Sequence, residues 1–347
     1  MTKRQFSASM IMVLFAWFFF NTGCKEEMPK PDPGDTPKDT LILRGQGSTT
    51  PYIHGTFIDF WNKEYWSDAK WSSHMNEMKA IGIHVLFVQY TAYNEYIWTD
   101  SDNDYSSHTY ADALHKLLTA ADKANMDVFV GLYFNENYWG HTTDAAELST
   151  HAQRAKKLAD DIWATQKHHS SFAGWYISHE AAPYYYHSQE KFDLLKNNLL
   201  NPIANHCRSI SDKPVATTVF FNHNLTDTAA FTTFMQRIAG CNLDVVMLQD
   251  GIGVAHCDLD ELDDYFSAAN EGLFTEGNFQ GAFWADMETF DTDDNPVTFD
   301  VLKQKLENIA PHVRKIMTYQ YYSDMCPTGP NAGLAGTLRE AYSAYLP

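Results

Sequence analysis

Cationic side chains are scarce in this 347-residue sequence, which carries 25 Lys and Arg against 44 Asp and Glu and a formal net charge of −19. Nucleic-acid binding needs clustered cations that neutralise phosphates, so no nucleic-acid partner is predicted. Cysteine is rare as well, and the five cysteines show no CxxC or other zinc-type spacing. The adjacent His168 and His169 fall at a predicted helix end, where a solvated cap is favoured over a metal ligand. We therefore predict no metal site.

Several motifs of enzymes that bind phosphate or carry a serine nucleophile are also missing. No GxGxxG follows a predicted strand, and neither GxxxxGK[ST] nor GxSxG occurs. These absences disfavour dinucleotide-binding, nucleotide-hydrolysing and lipase classes, and no cofactor is predicted. The segment HEAAP at 179–183 begins like a zinc protease motif, but Pro183 stands where the second His is needed.

A long apolar run occurs near the amino terminus, MIMVLFAWFFF at 10–20, and is typical of a secretory signal rather than a membrane span. The small Thr-Gly pair before Cys24 resembles the lipobox of bacterial lipoproteins, which implies a lipidated Cys24. We predict a signal peptide over 1–24 and a tether rich in Pro and charge over 25–50. The expected location is the cell envelope, lipid-anchored in the outer membrane, facing either the periplasm or the outside.

The rest of the chain, 51–347, alternates short apolar segments with longer amphipathic ones. This order and length predict a single α/β domain, a (β/α)₈ TIM barrel, rather than a doubly wound sheet. The predicted strands are 52–60, 83–90, 127–134, 173–178, 214–221, 243–248, 281–287 and 315–322, and a helix is predicted after the last of them.

Acidic residues follow the ends of these strands, where barrel enzymes form their active sites. Side chains alternate along a strand, so Glu180 shares the inward face of strand 4 with Tyr176. By the same alternation, Asp286 and Glu288 point into the barrel mouth from strand 7 with Trp284. Two carboxyl groups across one pocket are what cleavage of a glycosidic bond requires.

Glutamates at the ends of strands 4 and 7 resemble the clan of retaining (β/α)₈ glycoside hydrolases. The segments GWYISHE, MLQDGIG and FWADMETF also resemble a group of bacterial lipoproteins with a glycosidase-like domain of unknown function. The resemblance implies an enzyme that hydrolyses an oligo- or polysaccharide, with Glu180 as acid/base and Glu288 as nucleophile. We expect the pKa of Glu180 to be raised by burial and by its partner's charge, while Glu288 stays ionised.

One departure from that clan concerns the residue before the strand 4 acid, which is usually Asn and here is His179. The Asn-Glu pair at 135–136 follows strand 3 instead. Either the strand count slips by one or this family uses another clamp for the sugar hydroxyl, and the spacing of the later strands favours the second. Asp286 is an alternative nucleophile.

Polar and aromatic residues near the same strand ends are candidate sugar contacts, because rings stack on sugar faces and polar groups orient the ligand. For each one, packing or hydrogen bonding within a loop is the competing interpretation. The predicted substrate-binding residues are Asp59, Trp61, Tyr90, Glu136, Trp139, His179, Tyr184, Gln249, Asp250, Trp284, Asp286 and Tyr319.

Two other functions fit the same pattern. A non-catalytic glycan-binding lipoprotein could keep the barrel and its aromatic residues, and a barrel enzyme of another reaction type, such as a lyase, shares the fold. The predicted partners are a carbohydrate and, through the lipid anchor alone, a membrane.

Overall fold

The computed structural model describes residues 44–347, and these form a closed barrel of eight parallel strands surrounded by helices. Each strand pairs with the next along the chain, and the last pairs with the first, so the predicted TIM barrel is confirmed. The strands β1 to β8 are Gly55–Ile58, Val85–Val88, Asp127–Gly131, Phe172–Ala181, Val215–Val219, Val245–Gln249, Ala282–Glu288 and Ile316–Tyr319.

Helices connect the strands and cover the outside of the barrel. Helices α1 to α10 are Asp68–Lys79, Ala113–Ala124, Ala145–Gln166, Gln189–Leu195, Asn201–Ile210, Thr228–Ala239, Leu262–Asn270, Phe299–Ile309, Tyr321–Asp324 and Ala332–Tyr345. The helix predicted after the last strand is α10. None of the helices in this part of the chain combines the length and apolar character that a membrane crossing needs.

The barrel interior is filled by side chains from alternate strand positions, as the period of two requires. Tyr176 packs against Phe57 and Phe87, with ring centroids 5.4 and 5.6 Å apart. Trp175 and Ile177, one position away on the same strand, belong to the second apolar layer between strands and helices. The predicted inward and outward faces of β4 are therefore confirmed.

Two strand ends differ from the prediction. The predicted third strand divides after Gly131, and Tyr133–Phe134 joins a separate small sheet with Ala92–Tyr93, Tyr96–Ile97 and His108–Thr109. The fourth strand continues to Ala181 and so includes Glu180.

Residues that precede the first strand also contact the barrel. Gly45 donates a backbone hydrogen bond to Gly281 at 2.8 Å, and Arg44 pairs with Asp244 at 3.0 Å, so the end of the predicted tether packs on the barrel. Residues 1–43, which include the predicted signal peptide and Cys24, lie outside the described residues.

Candidate active site

The two predicted catalytic glutamates lie at the carboxyl ends of their strands, at the mouth of the barrel. Glu180 is the ninth residue of the ten-residue β4 and is half-buried. Glu288 is the last residue of β7 and is only 5% exposed. Both continue the inward-facing series that begins with Tyr176 on β4 and Trp284 on β7, two rings of the barrel interior.

Glu180 is held by the end of the sixth strand. Its carboxylate accepts a hydrogen bond from the Gln249 side chain, so the two side chains face the same space. Burial raises the pKa of Glu180 to about 7, against the opposing effect of this hydrogen bond. The direction agrees with the expectation, but burial alone causes the rise, and the charge of Glu288 does not contribute.

Glu288 is supported by the loop after β6. The Gly253 N–H donates to Glu288 Oε2 at 2.6 Å, and the Val254 N–H also favours the charged form. Burial and the neighbouring Asp250 charge outweigh these donors and raise the pKa of Glu288 to about 8. The ionised Glu288 stays a prediction, because burial and Asp250 oppose its charge while Lys305 and the two N–H donors favour it.

Beside Glu288 lies a buried ion pair that sequence reasoning missed. Lys305 Nζ is 2.8 Å from Asp250 Oδ2, and both side chains are fully buried. Lys305 also donates to the Glu288 main-chain carbonyl. Asp250, predicted to contact substrate, is instead committed to this pair and has no exposed surface. A signal existed, because Lys305 occupies an apolar position of α8, next to Leu306.

Asp286 is affected by the charges of both glutamates. It is 3% exposed, and burial, followed by the charges of Glu180 and Glu288, raises its pKa well above the usual range. Within residues 44–347 its Oδ1 has no hydrogen-bond partner. Burial and the two neighbouring acidic groups disfavour the ionised form of Asp286, which stays the alternative to Glu288 as nucleophile.

Aromatic rings line the loops after β3, β4, β5 and β6, and Tyr184 among them lies close enough to Glu180 to be affected by its charge. We call this group the aromatic wall, and its members are Trp139, Tyr184, Tyr185, Phe220 and His256. Tyr184 packs on Tyr185 with ring centroids 4.5 Å apart, and Trp139 lies 6.0 Å from Phe220. The nearby Glu180 charge contributes to the raised pKa of Tyr184, after burial and Tyr185. Phe220 was not predicted, although it directly follows β5.

The predicted aromatic residues on the other strands have different surroundings. Trp61 Nε1 donates to the Tyr90 hydroxyl at 2.6 Å, and Tyr319 donates to Gln89 at 3.2 Å. Trp61 and Tyr319 are half-buried near the mouth, whereas Tyr90 is mostly covered. Trp284 has no exposed surface and packs deep in the barrel. Its predicted contact with substrate is therefore wrong, because its ring fills the barrel core.

Asp59 is occupied by neighbouring protein groups. Its carboxylate accepts from Lys63 at 2.8 Å and from Gln320 at 2.9 Å. Burial alone would raise the pKa of Asp59, but the Lys63 ammonium and these hydrogen bonds hold it below its usual range. These contacts agree with the competing interpretation, in which Asp59 holds a loop by hydrogen bonds.

The structure places His179 and Glu136 in different surroundings. His179 is 1% exposed and points to the helix side, with Nε2 2.8 Å from His151 Nδ1, so it is not brought to the mouth. Glu136 is exposed and accepts a hydrogen bond from the Tyr93 hydroxyl. Since eight strands close the barrel with Phe172–Ala181 as the fourth, the strand count does not slip, and Asn135 follows β3.

The arrangement of a parallel barrel with carboxyl groups at β4 and β7 can be compared with known proteins. Residues 53–333 match the family described as a domain of unknown function, DUF4434. The chain belongs to this family. No curated protein matches the DUF4434 chain.

Solved structures share the fold of this DUF4434 chain. A protein from Bacteroides thetaiotaomicron VPI-5482 that is provisionally assigned as an α-L-fucosidase superposes with a TM-score of 0.70 at 24% identity, covering 91% of this chain and 99% of that one. The endo-1,4-β-mannanase of Rhizomucor miehei gives 0.52 at 12% identity, with 88% and 99% covered. The endo-β-1,4-mannanase of Thermotoga petrophila gives 0.55 at 9% identity, with 86% and 78% covered.

Proposed function

We propose that this DUF4434 chain is a retaining glycoside hydrolase that acts on an oligo- or polysaccharide. Glu180 is the proposed acid/base and Glu288 the proposed nucleophile. The observation that carries the proposal is that β4 and β7 each place an inward-facing glutamate at the barrel mouth, Glu180 next to the end of β4 and Glu288 at the end of β7. The fold shared with two mannanases supports the same reaction class by analogy.

The surroundings of Glu180 suit proton donation. With its pKa near 7, Glu180 is substantially protonated at neutral pH and can transfer that proton to the glycosidic oxygen as the bond breaks. Ionised Glu288 then bonds to the anomeric carbon, and water later displaces it while Glu180 takes the water proton. The Gly253 and Val254 N–H groups and the Lys305 ammonium stabilise the Glu288 charge.

The aromatic wall is the proposed sugar platform. Trp139, Tyr184 and Tyr185 are only half-buried, so their ring surface remains available beside Glu180. Sugar rings present flat C–H faces that pack on such side chains, while Gln249 supplies an oriented polar group.

A second candidate is a glycan-binding protein without catalysis. Burial disfavours the ionised form of Glu288 and Asp286, which a nucleophile needs, and this favours binding without catalysis. The aromatic wall would serve binding equally well. We also propose, from the sequence alone, that Cys24 carries a lipid anchor at the cell envelope.

The test is to incubate the purified full chain with a panel of plant and host glycans. Hydrolysis is measured as the release of reducing ends. Glu180→Gln and Glu288→Gln are expected to lower kcat by about 10²–10⁴-fold while leaving circular dichroism unchanged. Glu190→Gln, which alters an exposed carboxylate of α4, is the matched control and should keep full activity. Glycan binding without hydrolysis would exclude the hydrolase, and equal hydrolysis rates in all three variants would exclude the assignment of Glu180 and Glu288.

A further inference from the structure

We propose that His115, His168 and His169 form a binding site for a divalent transition metal, best suited to Zn²⁺. Each of the three imidazoles offers one nitrogen, and these nitrogens all lie within 4.8 Å of one another. His115 comes from α2, and the adjacent pair follows α3, so the fold unites residues that are far apart in sequence. Three histidines with an open fourth position are a recognised zinc ligand set.

The hydrogen bonds of His169 already prepare one ligand. Its Nδ1 is 2.6 Å from Asp122 Oδ2, and a carboxylate can only accept there, so Nδ1 carries the proton. The other ring nitrogen, Nε2, therefore has a free lone pair and lies 3.0 Å from His115 Nδ1. In a tetrahedral zinc site with Zn–N of about 2.0–2.1 Å, two ligand nitrogens are about 3.3–3.4 Å apart. A small outward shift would admit the ion, which would replace the proton now shared by the two rings.

Asp122, which orients the His169 ring, is itself held in place by hydrogen bonds. Asp122 is fixed by the Ser171 N–H at 2.7 Å and the Ser170 hydroxyl at 3.0 Å. A carboxylate that orients a metal-binding histidine fixes its tautomer and increases its basicity. His169 is buried, whereas His115 and His168 are exposed and leave a path for the ion.

Two other clusters within residues 44–347 have fewer features of a zinc site. The group His74, Glu77 and Cys326 includes a histidine whose pKa is lowered by burial and then by Lys63 and Lys70, cations that would also repel a metal. The group around His223 has one imidazole and two carboxylates, which makes it the weaker transition-metal ligand set.

The proposed site joins α2 to the connection between α3 and β4. That connection enters β4 at Phe172, whereas Glu180 lies near the other end of the same strand. A metal here would stabilise the barrel without touching the mouth. The inference is thus independent of the proposed hydrolase.

The test is titration of the untagged, purified full chain with Zn²⁺ by calorimetry, with thermal unfolding measured in parallel. We expect one tight site per chain and a Tm that rises with Zn²⁺. His115→Ala removes a ligand and should abolish both effects. Asp122→Asn should raise Kd by about 10–100-fold, the usual effect of a second-layer partner.

His223→Ala is the matched control, since it removes a histidine from another cluster and should leave the tight site and the Tm shift in place. Circular dichroism of the metal-free variants shows that each one folds. Cobalt substitution should give a visible spectrum of a tetrahedral site that His115→Ala lacks. Absence of stoichiometric binding, or unchanged binding in His115→Ala, would overturn the proposal.

Discussion

Glu288 shares its surroundings with Asp250 and Lys305, and the three side chains hold two potential negative charges and one positive charge. Burial raises the pKa of both carboxyl groups, while the Lys305 ammonium opposes the rise. A sugar that develops positive charge at the anomeric carbon would favour ionised Glu288. The proposed nucleophile is therefore expected to depend on this buried triad for its charge.

The pH dependence of kcat/KM should reflect these groups. The productive form has Glu180 protonated and Glu288 ionised, and their pKa values are raised to about 7 and about 8. Activity is lost in acid, where Glu288 is protonated, and in alkali, where Glu180 is ionised. We expect a bell-shaped profile with its maximum between about pH 7 and 8, measured on the best substrate of the glycan panel.

The variant Asp250→Asn tests which residue sets the acid side of this profile. Removal of the neighbouring charge should lower the pKa of Glu288 and move the maximum to lower pH. Asp300→Asn, at an exposed position of α8, is the control and should leave the profile in place. A maximum that moves to higher pH in Asp250→Asn would contradict the assignment of Glu288.

The sequence predicts the positions of the acidic residues at the mouth better than their ionisation states. Alternation along a strand is a local rule, so it places Glu180, Asp286 and Glu288 inward without knowledge of neighbouring elements. It could not place Lys305, which meets Asp250 and the Glu288 carbonyl from α8, an element distant from β6 in sequence. It also could not show that the Trp284 ring lies too deep to meet a substrate.

Gly174 illustrates how one position on a strand supports the barrel. A Cβ atom at Gly174 would lie 2.3 Å from the Phe129 ring on β3. Phe129 stacks on Phe87 at 4.5 Å and contacts Trp284 at 5.8 Å, so it has little room to move. Close packing inside the barrel therefore requires glycine here.

Gly174→Ala should lower the free energy of unfolding by about 1–3 kcal/mol, the usual cost of overpacking a core, as measured by urea denaturation. Gly333→Ala is the matched control. No atom lies within 4 Å of the added methyl group there. Because alanine favours a helix over glycine, the free energy of unfolding should rise by about 0.5–1 kcal/mol. Equal stability of both variants would show that the ring of Phe129 yields easily.

The ends of the elements are less predictable than their existence. Eight apolar segments predict eight strands because each must bury residues on both faces. The end of β4 depends on its neighbours, since Thr217 Oγ1 donates to the Ile177 and His179 carbonyl groups at 3.3 and 3.4 Å. Such contacts join elements that are distant in sequence, so a pattern along one strand does not contain them.

Over the whole molecule, the chain enters the barrel at the end opposite the mouth. Arg44 pairs with Asp244, which directly precedes β6, and Gly45 contacts Gly281, which directly precedes β7. Both contacts lie at the amino-terminal ends of strands, whereas Glu180 and Glu288 lie at the carboxyl-terminal ends. A tether that leaves from this side would keep the mouth clear.

The proposed lipid anchor is tested by metabolic labelling with a fatty-acid analogue. The full chain should take up label in a bacterial host and partition with membranes. Cys24→Ser should do neither, while Thr22→Ala, which keeps a small residue in the same segment, should behave as the parent. Label retained by Cys24→Ser would refute lipidation at that residue.

The central claim is that Glu288 forms a covalent bond to a sugar. Its most direct test treats the protein with a panel of 2-deoxy-2-fluoro glycosides that carry activated leaving groups, and locates any adduct by peptide mass spectrometry. A retaining enzyme should accumulate one glycosyl group per chain, on Glu288, and Glu288→Gln should accumulate none. Hydrolysis of a matching substrate with no adduct, or an adduct on Asp286, would contradict the account.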